Sequence, residues 1–327
     1  MKKLLLAFFF IIVSGIIFLN YNYPFFTSKI GRWSVGFSFV SAPMEKPNID
    51  ENNLISYVEV DTFLNSEGYY IADPFFIYDN NTYYLFVELK GQRNADIALF
   101  TSANGMDYEY EGIVIDEKFH VSYPQVFKHK NEIYMLPETK QSGNVTLYKA
   151  IDFPVKWEIS DTLIKNRRLK DATILLEKNL MVAVDDHMNQ LFFESDSLHG
   201  EWKESKRFDG RRGNETRPGG RFFKFQNDWY LPVQDRTYGY GSGISIYKLK
   251  DSEQTISLEL VEKRFLQEVP EVEWFNRGMH HLDIQPVGNR YYTVYDGDRN
   301  LDGEQSFQVR RTAKFVFSDI YNYFNSK

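Results

Sequence analysis

Ala72-Asp73-Pro74-Phe75-Phe76-Ile77 runs through Asp79-Asn80-Asn81 into Tyr83-Tyr84-Leu85-Phe86-Val87-Glu88. Aromatic and β-branched runs on either side of a polar turn make a strand, a tight turn and a second strand. The pattern returns as Ser122-Tyr123-Pro124-Gln125-Val126-Phe127, a turn over 128–131, and Ile133-Tyr134-Met135-Leu136-Pro137-Glu138. Pro74 to Glu88 and Pro124 to Glu138 are both fourteen steps. A third copy pairs 170–175 with 180–185, a fourth 217–223 with 229–234, and a fifth 280–284 with 290–296. The unit starts at 74, 124, 172, 218 and 282 are spaced 50, 48, 46 and 64 residues. Further strand-like runs lie between them, at 97–102, 146–150, 190–194 and 243–248. Three or four short strands in about 50 residues is the size of one propeller blade. Five copies predict an all-β chain, a five-bladed β-propeller. Residues 33–39, Trp-Ser-Val-Gly-Phe-Ser-Phe, are strand-like and precede the first unit. They are expected to pair into the last blade and close the ring. No long amphipathic helical period is read after residue 25.

Composition agrees. Of 327 residues, 43% are hydrophobic and 25% charged, which excludes wholesale disorder. The 28 Phe, 22 Tyr and 5 Trp favour β structure. A net charge of −7 argues against nucleic acid as a partner. The chain has no Cys, which removes disulfides, thiolate nucleophiles, iron–sulfur clusters and Cys-based zinc sites.

Residues 1–24 stand apart as a signal-anchor, with the propeller expected over 25–320. Lys2 and Lys3 precede an apolar run at 4–19, interrupted by Ser14 and Gly15. No small-residue cleavage site follows, and Tyr21 and Tyr23 suit a membrane interface. The run is slightly short of the roughly 20 residues that cross hydrocarbon squarely. A cleaved signal peptide is the alternative. Either way the propeller is exported, to the periplasm or cell surface, with the N-terminus on the cytoplasmic side.

Several segments resemble one family. They are Ala72-Asp73-Pro74-Phe75, Phe119-His120-Val121-Ser122-Tyr123-Pro124, Met135-Leu136-Pro137-Glu138-Thr139, Leu147-Tyr148-Lys149-Ala150 with Asp152-Phe153-Pro154, Leu198-His199-Gly200-Glu201-Trp202, and Arg217-Pro218-Gly219-Gly220-Arg221 with Gln234-Asp235. Together they resemble the domain named after the N-terminal region of glucosamine inositolphosphorylceramide transferase, over roughly 31–311. That domain is similar to the five-bladed propellers of glycoside hydrolase families 43 and 32. The resemblance implies a carbohydrate or glycolipid ligand. Sugar transfer in the plant protein is attributed to a separate C-terminal domain, for which this sequence has no room, so transferase activity is not expected here. By motif, Asp73 matches the first-blade Asp that serves those hydrolases as base or nucleophile. The departure is in blade two, where their Asp before Pro is replaced by Tyr123.

The first strand of each repeat should line the central channel, which brings Asp73, Tyr123, Asp171, Arg217 and His281 to related positions. Glycoside hydrolysis needs one protonated and one ionised carboxylate across the bond. Asp73, Glu138 and Asp171 are the catalytic candidates, with Asp73 and Glu138 the favoured pair. Glu88, Tyr123, Asp185, Arg217, Arg221, Gln234, Asp235 and His280 are candidates for substrate binding. Neighbours on a strand face opposite ways, so one of His280 and His281 faces the channel. The resemblance to family 43 offers His281 a place on an axial divalent cation such as calcium. Arg217 and Arg221 lie near Lys206, Arg207, Arg211 and Arg212, a local basic excess that suits an anionic sugar or lipid phosphate. The plainer alternative is a solvated loop balanced by Glu201, Glu204, Asp209 and Glu215. Tyr238 and Tyr240 sit in a Gly-rich loop suited to stacking on a sugar ring.

Three functions follow. The first is an exported, membrane-tethered propeller acting on a glycan or glycolipid as a glycosidase or transglycosylase. The second is a non-catalytic glycan-binding propeller in envelope polysaccharide metabolism. The third is an assembly scaffold.

Overall fold

The hairpins form because their turns accept left-handed backbone. Asn80 and Asn81, Lys130 and Asn131, and Gln226 and Asn227 all hold φ between 48° and 69°. Paired positive φ is the two-residue turn whose twist matches that of antiparallel strands. In this computed structural model, which describes residues 2–208, 210–300 and 303–325, each hairpin begins a blade. Asp209 lies outside the described residues.

Blade one is four antiparallel strands, Tyr70–Asp79, Thr82–Lys90, Ala95–Ser102 and Glu109–Ile115. Blade two runs Ser122–His129, Glu132–Glu138, Val145–Asp152 and Lys156–Ile164. Blade three begins with Lys170–Leu175 and Leu180–Val184, and blade four with Phe223–Phe225 and Asp228–Asp235. Blade five joins the two ends of the propeller. Leu282–Val287 and Arg290–Arg299 are its first two strands, and Arg32–Val40 is its third. Nine consecutive pairs, from Arg32↔Arg299 to Val40↔Tyr291, close the ring as expected for the 33–39 segment.

First strands converge on the axis. Phe76 donates its backbone N–H to Asp283, and Gln125 exchanges two hydrogen bonds with the backbone of Ile174. Blade four approaches most closely, which requires glycine. A Cβ on Gly220, at φ 146°, would lie 1.8 Å from the Leu282 carbonyl oxygen. Between blades, apolar layers such as Phe75, Phe86, Leu99, Val126 and Met135 fill the core.

Among the described residues three α-helices decorate the ring. α1 (Lys2–Asn22) buries no residue and is long and apolar enough to cross a membrane, a test that a signal sequence also passes. α2 (Tyr57–Leu64) starts at a capping box of Ser56 and Glu59. α3 (Val309–Asn325) corrects the expectation of no amphipathic helix after residue 25. Its Phe315 and Val316 are buried and pack with Tyr23, while Phe317, Ile320 and Phe324 are exposed. Val309, Phe317, Ile320 and Phe324 share one apolar stripe of the helix, and the buried Phe315 lies off it.

Candidate functional site

A bulge repeated in three blades builds the site. Ala72 pairs with Glu88 and Ser122 with Glu138, and the register slips before Phe75 and Gln125; blade three slips likewise between Lys170 and Thr173. Asp73, Tyr123 and Asp171 take φ of 50°, 51° and 48° at those slips. Non-glycine residues enter this left-handed region rarely, and a bulge re-aims the side chain it carries. Asp73, Tyr123 and Asp171, three of the five repeat positions read from the sequence, are therefore equivalent in backbone geometry, and Arg217 and His281 do not share it.

One mouth of the channel gathers Asp73, Glu88, Glu138, Asp171, Arg217, His280 and Asp296. Asp296 organises it. Its Oδ1 accepts the backbone N–H of His280 at 3.0 Å and of His281 at 2.9 Å. Its Oδ2 accepts the backbone N–H of Asp73 at 3.0 Å and lies 2.7 Å from His280 Nδ1. His280 stacks on Trp33, with ring centroids 3.9 Å apart. Burial opposes a charge on His280, but Asp296 and Asp73 outweigh it and raise its pKa.

Asp73 Oδ1 makes no hydrogen bond. It stands 3.7 Å from His281 Nδ1 and 3.8 Å from His280 Nε2. Burial pushes its pKa up, yet the two imidazoles and the Arg217 guanidinium hold it well below the usual carboxylate range. Glu88 and Glu138 go the other way. Burial, reinforced by Asp73 and Glu138, holds Glu88 well above the ordinary value. Burial and the charge of Asp171 push Glu138 up to about 8, against the pull of Arg217. This mouth sets an Asp73 held toward its ionised form beside two glutamates held toward their protonated forms.

Asp171 is fully buried and forked by Arg217, with Nη2 3.0 Å from Oδ1 and Nε on Oδ2. Arg217 also reaches to 3.7 Å from Glu138 Oε2. Gln234 donates to Asp171 and to the Pro218 carbonyl. His120 Nε2 stands 3.7 Å from Glu88 Oε1, and burial lowers its pKa. Tyr240, half-buried, covers the entrance between Arg217 and Arg236, whose guanidinium carbons lie 5.6 and 5.8 Å from its ring centroid.

Other candidates lie apart or are spent. Tyr123 is fully buried, its hydroxyl bonded to Thr173, to the Gly220 carbonyl and to the Gly220 N–H. In blade three, Val184 pairs with Lys170, so Val184 rather than Asp185 takes the register position of Glu88 and Glu138. Asp185 falls one residue later and caps the turn through His187 and Asn189. Asp235 is bonded to Asn214 and Thr237. Arg221 lies at the opposite end of the channel, forked onto Asp283. A cavity of about 640 Å³ opens there, lined by Gln125, Ile174, Arg221 and Gln285, with none of the mouth carboxylates. Tyr238 is exposed and covered by Arg264, whose guanidinium carbon lies 4.8 Å from its ring centroid.

Asp296 was missed from the sequence, although it ends a second strand as Glu88 and Glu138 do. It also completes the one carboxylate–imidazole cluster among the described residues with metal-ligand spacing, Asp73, His280 and Asp296. Both ring nitrogens of His281 are buried without a hydrogen-bond partner.

The sequence profile described as "Glucosamine inositolphosphorylceramide transferase 1, N-terminal" matches residues 27–298. The Arabidopsis thaliana protein named glucosamine inositolphosphorylceramide transferase 1 is 28% identical over 317 residues, covering 85% of this chain and 40% of that protein. The chain thus spans about two fifths of that relative. Among solved structures, a β-1,2-mannobiose phosphorylase from Listeria innocua superposes with a TM-score of 0.58 at 11% identity, covering 86% of this chain and 99% of that one. A thermostable family-43 glycoside hydrolase superposes with a TM-score of 0.52 at 14% identity, covering 73% and 93%. These two likenesses establish the shared propeller fold.

Proposed function

Since this chain belongs to the family of the glucosamine inositolphosphorylceramide transferase 1 N-terminal domain, we propose that it acts on a glycosidic bond of a glycan or glycolipid, as a glycosidase or transglycosylase. The observation that carries this is the opposite polarisation of buried carboxylates in one mouth, Asp73 down and Glu138 up. Environments that push two carboxylates apart assign a base and an acid. Glu138 is the better acid than Glu88, because a pKa near working pH lets a group both give and regain its proton. Glu138 protonates the glycosidic oxygen as its bond to the anomeric carbon breaks. Asp73 removes the proton from the incoming water or sugar hydroxyl, whose oxygen bonds that carbon. One proton is given and one taken, so the product leaves neutral. Arg217 keeps Asp171 neutralised and brings a guanidinium to 3.7 Å from Glu138.

Calcium suits this centre poorly. It takes six to eight oxygens, and Asp296 already accepts three backbone N–H groups and lies 2.7 Å from His280 Nδ1. Asp296 and Asp73 raise the pKa of His280 and so favour its protonated form, which is a poor metal ligand. No step here is routed through a cation.

A glycan-binding propeller without turnover is the second reading. It is favoured by Tyr123, which replaces the blade-two carboxylate and spends its hydroxyl on structure. In both readings α1 tethers the propeller outside the cytoplasm, with Lys2 and Lys3 inside.

The test incubates the full chain in neutral detergent with surface glycans and glycolipids, reading products by mass spectrometry. Turnover lost in Asp73→Asn and Glu138→Gln supports an enzyme. Saturable binding with no product in any arm sinks catalysis and leaves the second reading.

A further inference from the structure

Beside the carboxylate mouth, and separated from it by Tyr240, lies a cavity of about 760 Å³ with a different chemistry. Its lining includes Lys29, Lys170, Arg236, Arg310, Arg311 and Lys314 against a single acid, Asp186. Asp186 is already taken by Lys140 at 2.6 Å, Arg168 at 3.0 Å and Lys170 at 3.5 Å. Lys29 has an exposed partner in Glu304. Arg236, Arg310, Arg311 and Lys314 make no ion pair among the described residues. The Nε atoms of Arg236 and Arg311 are buried with no hydrogen-bond partner. The other Arg311 nitrogens bond the carbonyls of Arg236, Thr237 and Pro24, which fixes its guanidinium in the wall. In a chain of net charge −7, such an unbalanced cluster is costly unless an anion completes it. The crowding is felt by Arg236, where burial, with Arg217 and Arg311 nearby, pushes the pKa down to about 10.

We propose that this cavity is a phosphate subsite, which holds the anionic phosphate of a ligand while its sugar reaches the carboxylates past Tyr240. The inference rests on the glycan reading above and adds the ligand's second chemical group. Arginine forks match phosphate oxygens, and lysines add point charges. Location favours a membrane lipid as the source. Thr312 and Arg311 bond the carbonyls of Tyr23 and Pro24, so the cavity sits at the foot of α1. There α3 exposes Val309, Phe317, Ile320 and Phe324, spaced as one helical stripe on its outer side. A helix of this kind lies in a bilayer interface, at the depth of lipid phosphates.

The test is calorimetric titration of the full chain in neutral detergent. Three probes are used: dihexanoyl phosphatidic acid, inorganic phosphate and dihexanoyl phosphatidylcholine. Saturable binding of phosphatidic acid, weakened roughly tenfold in Arg236→Gln, is expected. The double variant Arg310→Gln/Lys314→Gln, at exposed positions whose side chains make no hydrogen bond among the described residues, guards against misfolding and should weaken binding similarly. Inorganic phosphate binding as tightly as the lipid would identify free phosphate as the source and keep the subsite. Absence of saturable binding by both phosphatidic acid and inorganic phosphate overturns the proposal. So does affinity unchanged in both variants, or phosphatidylcholine binding equally well. Binding is read without turnover, so an inert chain that binds phosphate sinks only catalysis, and an active chain that does not sinks only the subsite.

Discussion

The two ends of the channel use the same residue types to opposite effect. At the far end, Arg221 forks Asp283 and also bonds the Phe76 carbonyl, so each charge is matched. At the mouth, Asp73, Glu88, Glu138, Asp171 and Asp296 face Arg217 and His280, and Asp296 and Asp73 raise the pKa of His280. Three inner-strand residues there hold left-handed backbone. Strain and uncompensated acids cost stability, and they persist where a fold retains them for chemistry. One end fastens the blades, and the other holds proton donors and acceptors at unequal readiness.

The largest expected effect is at the mouth. Glu138→Gln should lower turnover by about 10²–10⁴-fold, the range for a lost general acid, with the fold intact by circular dichroism. Breaking the fastened end should act on stability instead. Asp283→Asn takes the carboxylate from the half-buried Arg221, which keeps its bond to the Phe76 carbonyl, and should cost about 1–3 kcal/mol; denaturant unfolding would show it, and turnover per folded molecule should hold. Comparable turnover losses in both variants would erase the contrast between the ends.

The pH response sharpens it. Glu138 must be protonated to act, so turnover should fall as pH rises through about 8. Asp73, held below its ordinary value, stays ionised over that range. Stability follows the same sign. A carboxyl raised from 4.5 to about 8 binds a proton in the fold that the unfolded chain has released, so stability declines with rising pH across that window. Melting curves of Glu138→Gln should show a flatter decline and a higher midpoint than the parent at pH 8. The smallest effect is expected from Trp33→Phe, which weakens the stack under His280 by about 1 kcal/mol; thermal melts would register it.

The repeat was legible because hairpins depend on local rules, alternating apolar runs and turns that accept positive φ. Five copies of such a unit leave few architectures. Site positions were legible to within one residue of register, and that margin separates Glu138 from Asp185. Whether a strand ends at Val184 or continues depends on pairing with Lys170, a contact the local sequence does not encode. Tyr123 shares a repeat position with Asp73 and Asp171, and Arg221 lies close in sequence to Arg217, but their partners, Gly220 and Asp283, come from other blades. Asp296 was hidden for the same reason, since its importance lies in four donors drawn from blades one and five.

Ring closure by Arg32–Val40 has a kinetic side. This strand emerges among the first and pairs with Arg290–Arg299, which emerges among the last. Sequence separations of this size make a slow closing step, paid in loop entropy before any contact forms. Until it closes, the edge of Arg290–Arg299 is open to pairing with another chain. Where α1 holds the growing chain at a membrane, as proposed above, the waiting strand stays in place and the late strand searches a small volume rather than the surrounding solution. Tethering thereby becomes an aid to assembly, and propellers released before closure should be the ones that aggregate.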